Sequence, residues 1–186
     1  MSQKAALLVI DIQVDVLKDT WNSQEVLKNI TSSVDKARKN SMEVIWVQHN
    51  DEELVKDSEG WKLCPPLTPA ASESVFHKNF NSSFEKTELE ANLRNKGIDH
   101  LYICGAATNW CVRATTFAAI EKGFKVTIIE DAHTTGDVTF KDGFHISAEA
   151  IVTDFNMNAI YLNYADKKLD ALKTIDFLNS ASPISG

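Results

Sequence analysis

The chain has 186 residues, a formal net charge of -7 at pH 7 and 44% hydrophobic residues. That length suits one domain spanning residues 1–186, with enough apolar side chains for a real core. The acidic balance, with no basic stripe to neutralise phosphates, argues against a nucleic-acid partner, and no apolar run approaches the roughly 18–20 residues that a membrane span needs. The start, "MSQKAALLVID", is not built like a secretory signal and reads as a first strand. The 3 cysteines give no disulfide framework and no CxxC metal pair, so a reducing cytoplasm is the expected compartment.

Strand and helix patterns then alternate. "AALLVI" (5–10) is a continuous apolar run of strand length, as expected of a strand buried on both faces. Asn22 with Glu25 makes a capping-box pattern, and Val26, Ile30, Val34 and Ala37 share one helical face up to about Asn40. "EVIWVQ" (43–48) is a second strand. An irregular stretch from 50 to 74 follows, long enough to suggest a pocket wall or lid. "SVFHK" (74–78) is a third strand. Thr87 and Glu90 repeat the capping pattern before Leu89 and Leu93, with Gly97 as C-cap. "HLYIC" (100–104) is a fourth strand, and the helix after Cys111 ends at Gly123. "KVTIIE" (125–130) is a fifth strand, 143–157 a helix and "AIYLNY" (159–164) a sixth strand. The last dozen residues read as a loosely attached tail.

Such alternation predicts a three-layer, doubly wound α/β fold, its six-stranded, mostly parallel sheet covered by helices on both faces. Ligands in these folds bind beyond the carboxyl ends of the strands, where strand order reverses. Three residues fall there. Asp11 follows strand one, Lys78 ends strand three and Cys111 lies just past strand four. A helix N-terminus and a nearby ammonium lower a thiol pKa, and the thiolate is the nucleophile. A carboxylate can take the thiol proton and later return it to a leaving amine. The small residues Gly105, Ala106 and Ala107 let backbone N–H groups approach an oxyanion.

Each residue also has a plain structural reading. Asp11 suits a loop or cap, Lys78 a solvated surface position, and Cys111 a small buried apolar site. Cys104 reads as core and Cys64, beside Pro65 and Pro66, as an incidental loop thiol. Trp110 suits either packing or a pocket wall. The joint placement of Asp11, Lys78 and Cys111 is what points to chemistry.

Three segments carry a resemblance: "LLVIDIQVDVL", "HKNFNSSFEKTEL" and "LYICGAATNWCVRATTFAAIEKGFKVTIIEDAHTT". They resemble the isochorismatase-like cysteine hydrolases, which include nicotinamidases and N-carbamoylsarcosine amidase. The most specific elements are D-x-Q-x-D at 11–15, the lysine before Asn-Ser-Ser-Phe, and G-x-x-T-x-x-C-V at 105–112. The resemblance implies Cys111 as nucleophile, Asp11 as general base and acid, and Lys78 as stabiliser of the pair. It further implies a cis peptide between Ala106 and Ala107, with an oxyanion hole from the Ala107 and Cys111 N–H groups. A homo-oligomer, dimer or tetramer, acting on a small-molecule substrate is also implied. Trp110, Phe84 and Trp61 are candidate pocket residues from their positions.

Nicotinamidases of this family carry a metal site after strand two, with an Asp, a His two residues on and a later His. Here His49 and Asp51 come in the other order, and the next histidine is His77. No metal and no other cofactor is therefore expected. Three readings follow. The first is a cysteine-dependent amidohydrolase of a small amide, carbamoyl or ureido compound. The second is a vinyl-ether hydrolase in which Asp11 is the acid and Cys111 a bystander. The third is a non-catalytic α/β binding module.

Overall fold

The computed structural model describes residues 4–164 and 169–180. In chain order its elements are β1 (Ala5–Ile10), α1 (Val14–Leu17), α2 (Ser23–Lys39), β2 (Glu43–His49), β3 (Ser74–Lys78) and α3 (Leu89–Asn95). There follow β4 (His100–Ala106), a π-helical turn (Thr108–Val112), α4 (Arg113–Glu121), β5 (Lys125–Thr134) and the short β6 (Val138–Thr139) and β7 (His145–Ile146). The series ends with α5 (Ala148–Tyr161), β8 (Leu169–Leu172) and α6 (Thr174–Asn179). The main sheet has six strands in the order β3-β2-β1-β4-β5-β8, and β6 and β7 form a separate hairpin. All pairings in the main sheet are parallel.

Strand β1 is apolar throughout because both of its faces are covered. Ala6, Leu8 and Ile10 join one core with Leu89 and Leu93 of α3, Ala119 and Ile120 of α4, and Phe155 of α5. Leu7 and Val9 point the other way, into a second core with Val26, Ile30, Val34 and Ala37 of α2 and Phe177 of α6. This is the two-residue alternation of a strand set against the helical period of its neighbours. Each buried Leu, Ile, Val or Phe among them contributes about 1.5–3 kcal/mol of transfer free energy.

Four details differ from the sequence expectations. The sixth strand is Leu169–Leu172, not 159–164. Ala159, Ile160 and Tyr161 instead complete α5, where Phe155 and Ala159 are buried four residues apart while Ile160 and Tyr161 face outward. Their apolar character made a helix end look like a strand, and the true strand, "LDAL", is short with a polar residue inside it. Helix α5 starts at Ala148, not 143, because the Ser147 hydroxyl caps it by accepting the Ala150 N–H at 3.2 Å. The expected tail contains α6, whose Phe177 is only 1% exposed; the tail's remaining residues, 181–186, lie outside the described residues. Asn22 does occupy the N-cap position of α2, yet its side chain makes no capping bond.

Strand order reverses at β1, which has β2 on one side and β4 on the other. The carboxyl ends of β1 and β4 therefore bound the crevice where such sheets bind ligands. Gly105 makes their close approach possible. It has φ +135°, and a Cβ there would stand 2.1 Å from the Ile10 carbonyl oxygen. Only glycine fits that backbone conformation and that gap.

The position of Phe177 generates a stability test. Phe177→Ala should cost about 3–5 kcal/mol in urea unfolding, the usual loss for a buried phenylalanine. A change below about 0.5 kcal/mol, typical of surface sites, would place α6 outside the core.

Candidate active site

Three strand ends deliver the site. Asp11 leaves β1 with φ 50° and its N–H bonded to the Val47 carbonyl at 2.9 Å. Lys78 is the last residue of β3 and is in register with His49, the last of β2. Cys111 lies in the π-helical turn between β4 and α4. Asp11 and Lys78 are each 1% exposed and Cys111 8%. Lys78 is thus a buried cation, not the solvated lysine that its sequence position also allowed.

The ammonium is at the centre. Lys78 Nζ lies 2.6 Å from Asp11 Oδ2. It donates to Cys111 Sγ at 3.2 Å and reaches His49 Nδ1 at 3.3 Å. The other ring nitrogen, His49 Nε2, is 3.0 Å from Asp51 Oδ2. Asp11, His49 and Cys111 offer donor atoms within 4.8 Å of one another, which is metal-ligand spacing. Lys78 Nζ already lies within contact distance of all of them, in the space a metal ion would take, so the residues do not fit a metal while the ammonium is there.

Burial decides the protonation states. It raises the Asp11 carboxyl above the usual carboxylate range, with the Lys78 ammonium as the main opposing influence. It pushes the Cys111 thiol up to about 12; the Asp11 carboxylate adds to that rise and Lys78 opposes it. This corrects the expectation of a lowered thiol pKa. One cation is shared between two potential anions, and little water remains to solvate a second negative charge. The resting sulfur is therefore a thiol, beside a carboxylate of unusually high proton affinity.

The surrounding turns are tied down. The Ala106–Ala107 peptide is cis. Ser83, in the Asn-Ser-Ser-Phe turn, bonds Thr115 of α4 through its N–H and its hydroxyl, each at 2.9 Å. Thr108, which opens the π turn, is 2.9 Å from His133 Nδ1, and His133 Nε2 is 2.8 Å from Asn156 Oδ1. Asn156 Nδ2 donates to the Glu130 carbonyl at 3.0 Å, so its Oδ1 must accept from His133. His133 Nδ1 then lacks a proton and accepts from the Thr108 hydroxyl. Burial holds this imidazole down to about 4, so it stays neutral at ordinary pH.

Of the pocket candidates, Trp110 is 54% exposed and lines a groove of about 460 Å³ with Asn109, Arg113, Val138, Phe140 and Ile151. Phe84 instead lies in the core, stacked on Phe124 at 5.9 Å between ring centroids. Trp61 packs against the His77 ring at 5.3 Å. Cys104 is core, as expected, and Cys64 is half-buried.

Two further residues belong to the site: Gln13, given no role from the sequence, and His49, weighed there only as a metal ligand. Gln13, buried, donates from Nε2 to the carbonyls of His49 and Trp61, each at 2.9 Å, and accepts the His49 N–H at 2.8 Å. It clamps the 50–74 stretch to the end of β2. That stretch is also held by Val14 N–H to Lys62 O and Cys64 N–H to Ile12 O, each at 2.9 Å. The motif D-x-Q-x-D contains Gln13, but its partners are distant in sequence. His49 is the other; only the β2–β3 register places it against Lys78.

Fold and site together define a doubly wound α/β protein with a buried Asp–Lys–Cys cluster where strand order reverses. The chain belongs to the isochorismatase family: the model of the Isochorismatase domain matches residues 5–156. It is 30% identical to the uncharacterized isochorismatase family protein YddQ of Bacillus subtilis (strain 168), over 74% of this chain and 81% of that protein. It is 27% identical to Nicotinamidase 3 of Arabidopsis thaliana, over 89% of this chain and 87% of that protein. A streptothricin hydrolase of Streptomyces noursei is 29% identical over 80% of this chain and 61% of that protein. Among solved structures, an isochorismatase from Pseudomonas putida KT2440 superposes with a TM-score of 0.83 at 27% identity, covering 92% of this chain and 89% of that one. A cysteine hydrolase from Pseudomonas syringae pv. phaseolicola 1448A shares the fold, with a TM-score of 0.84 at 19% identity and coverage of 94% and 91%. No helix among the described residues is long and apolar enough to cross a membrane.

The raised thiol pKa has a spectroscopic consequence. In a difference titration against Cys111→Ala, the ultraviolet thiolate band of the free enzyme should show no step between about pH 6 and 9. A step near neutrality would mean that the ammonium outweighs burial.

Proposed function

We propose that this isochorismatase-family hydrolase is a cysteine-dependent amidohydrolase of a small amide, carbamoyl or ureido compound. The observation that carries this reading is the buried Lys78 ammonium, 2.6 Å from the Asp11 carboxylate and 3.2 Å from the Cys111 sulfur. Because the sulfur rests as a thiol, attack is coupled to proton transfer. Cys111 Sγ bonds to the substrate carbonyl carbon while its proton passes to Asp11. The carbonyl oxygen becomes an oxyanion, received by the N–H groups of Ala107 and Cys111. Collapse expels ammonia or an amine, which takes the proton back from Asp11, and leaves a thioester. Asp11 then deprotonates a water that attacks the thioester. Its proton returns to sulfur as the acid leaves, restoring the starting state. Lys78 balances the negative charge as it moves between carboxylate and sulfur. The exposed face of Trp110 in the apolar groove is the place for the part of the substrate that does not react. The same reading carries a homo-oligomer acting in the cytoplasm.

A screen of small amides, ureas and carbamoyl compounds for ammonia release supplies the assay. With a responding compound, Asp11→Asn should lower turnover by about 10²–10⁴-fold, the usual contribution of a general base. Cys111→Ser should be nearly inactive, and mass spectrometry of acid-quenched enzyme should find an acyl adduct on the peptide containing Cys111. Retained turnover in Cys111→Ser without any adduct would replace this reading with the vinyl-ether one, in which Asp11 protonates the substrate and sulfur takes no part.

A further inference from the structure

Lys78 Nζ has three close neighbours: it pairs with the Asp11 carboxylate at 2.6 Å from Oδ2, donates to Cys111 Sγ at 3.2 Å and meets His49 Nδ1 at 3.3 Å. The first two belong to the reaction described above; the third has no role in it. The orientation of its ring is set from its other side. Hydrogen bonds from the backbone, first from the Leu54 N–H, hold the Asp51 carboxyl below the usual carboxylate range, with His49 contributing as well. Asp51 is therefore an acceptor, and its Oδ2 takes the N–H of His49 Nε2 at 3.0 Å. The carboxylate is itself fixed, since Asp51 Oδ1 accepts the N–H groups of Glu53 at 2.9 Å and Leu54 at 2.7 Å. A neutral imidazole with its proton on Nε2 leaves Nδ1 bare toward the ammonium. Gln13 holds the His49 backbone at both its N–H and its carbonyl, while Asp51 holds the ring.

We propose that His49 is a positioning residue for Lys78: its bare Nδ1 is a further acceptor of the ammonium, holding it against the Asp11 carboxylate and aiming an N–H at Cys111. This inference rests on the cysteine-nucleophile reading but is tested apart from substrate. A buried ammonium without that acceptor turns to find another, and the N–H bond that stabilises the developing thiolate is lost. The titratable groups facing His49 are Lys78 and Asp51, with Asp11 and Cys111 beyond the ammonium.

The probe is iodoacetamide, applied to the full chain, with alkylation of Cys111 and Cys64 followed by peptide mass spectrometry. In alkylation the sulfur–carbon bond forms, iodide leaves and the thiol proton passes to Asp11. His49→Ala should slow Cys111 labelling by about tenfold, as expected when one hydrogen bond to a charged group is lost. His49→Asn should largely restore it, because the asparagine Oδ1 is bonded at the same place in the side chain as Nδ1. His49→Gln carries its oxygen one bond further out and should not. Labelling of Cys64 and the melting curves serve as controls in all variants. Equal rates in His49→Ala and wild type would overturn the proposal, as would equal slowing in His49→Ala and His49→Asn with melting unchanged. Failure of the underlying reading looks different: no acyl adduct would form on Cys111 of the wild-type chain during turnover of a responding compound.

Discussion

A charge buried at the meeting point of three strand ends governs this molecule. Lys78 is 1% exposed. Withdrawing an ammonium from water costs several kcal/mol even after the surroundings relax. The site offsets that cost with one carboxylate, Asp11, so the pair is electrically neutral. A thiolate at Cys111 would be a second anion sharing the same cation. That is why burial and the Asp11 charge together push the thiol up to about 12 despite the ammonium beside it. The nucleophile is thus released only as its proton moves. The total charge of the cluster stays constant while the negative charge passes from oxygen to sulfur.

The fold supplies this arrangement because parallel strands end together. β1, β3 and β4 all point their carboxyl ends to one edge of the sheet. Residues separated by tens of positions then converge without any long loop having to fold onto itself. Strand order reverses at β1, so the sheet opens there instead of closing over the site. Gly105 lets β4 approach β1, and the π-helical turn brings Cys111 inward while its neighbour Trp110 stays 54% exposed.

How far the sequence made this legible depended on the range of the interactions. The apolar runs of β1, β2, β4 and β5 declare buried parallel strands because both faces meet helices. Asp11, Lys78 and Cys111 could be singled out because each directly follows or ends such a run. Gln13 and His49 could not, since their partners lie across strand register and loop. The thiol pKa was misjudged for a related reason. Helix ends and nearby cations are visible in sequence, whereas burial is a property of the whole packed structure. The helix end at 159–161 was taken for a strand because periodicity fails near a terminus whose outward residues are apolar.

Two histidines support the site, His133 beside the turn that carries Cys111 and His49 beside the Lys78 ammonium. His133 takes a proton from no solvent and passes hydrogen-bond direction from Glu130 through Asn156 to Thr108, at the start of the turn that carries Cys111. Its place in the interior keeps the ring neutral: burial brings it down to about 4 against the opposing influence of Asn156 and Asp131. His49 lies nearer the surface and is directed by a carboxylate, Asp51, that is fixed by backbone N–H groups. The sulfur is thus oriented through a turn pinned by one imidazole, and the ammonium through an acceptor on the other. Because these supports come from different strands of the sheet, β5 for His133 and β2 for His49, a change can loosen one at a time. The relative position of sulfur and ammonium, not the presence of either group, is then what such a change would alter.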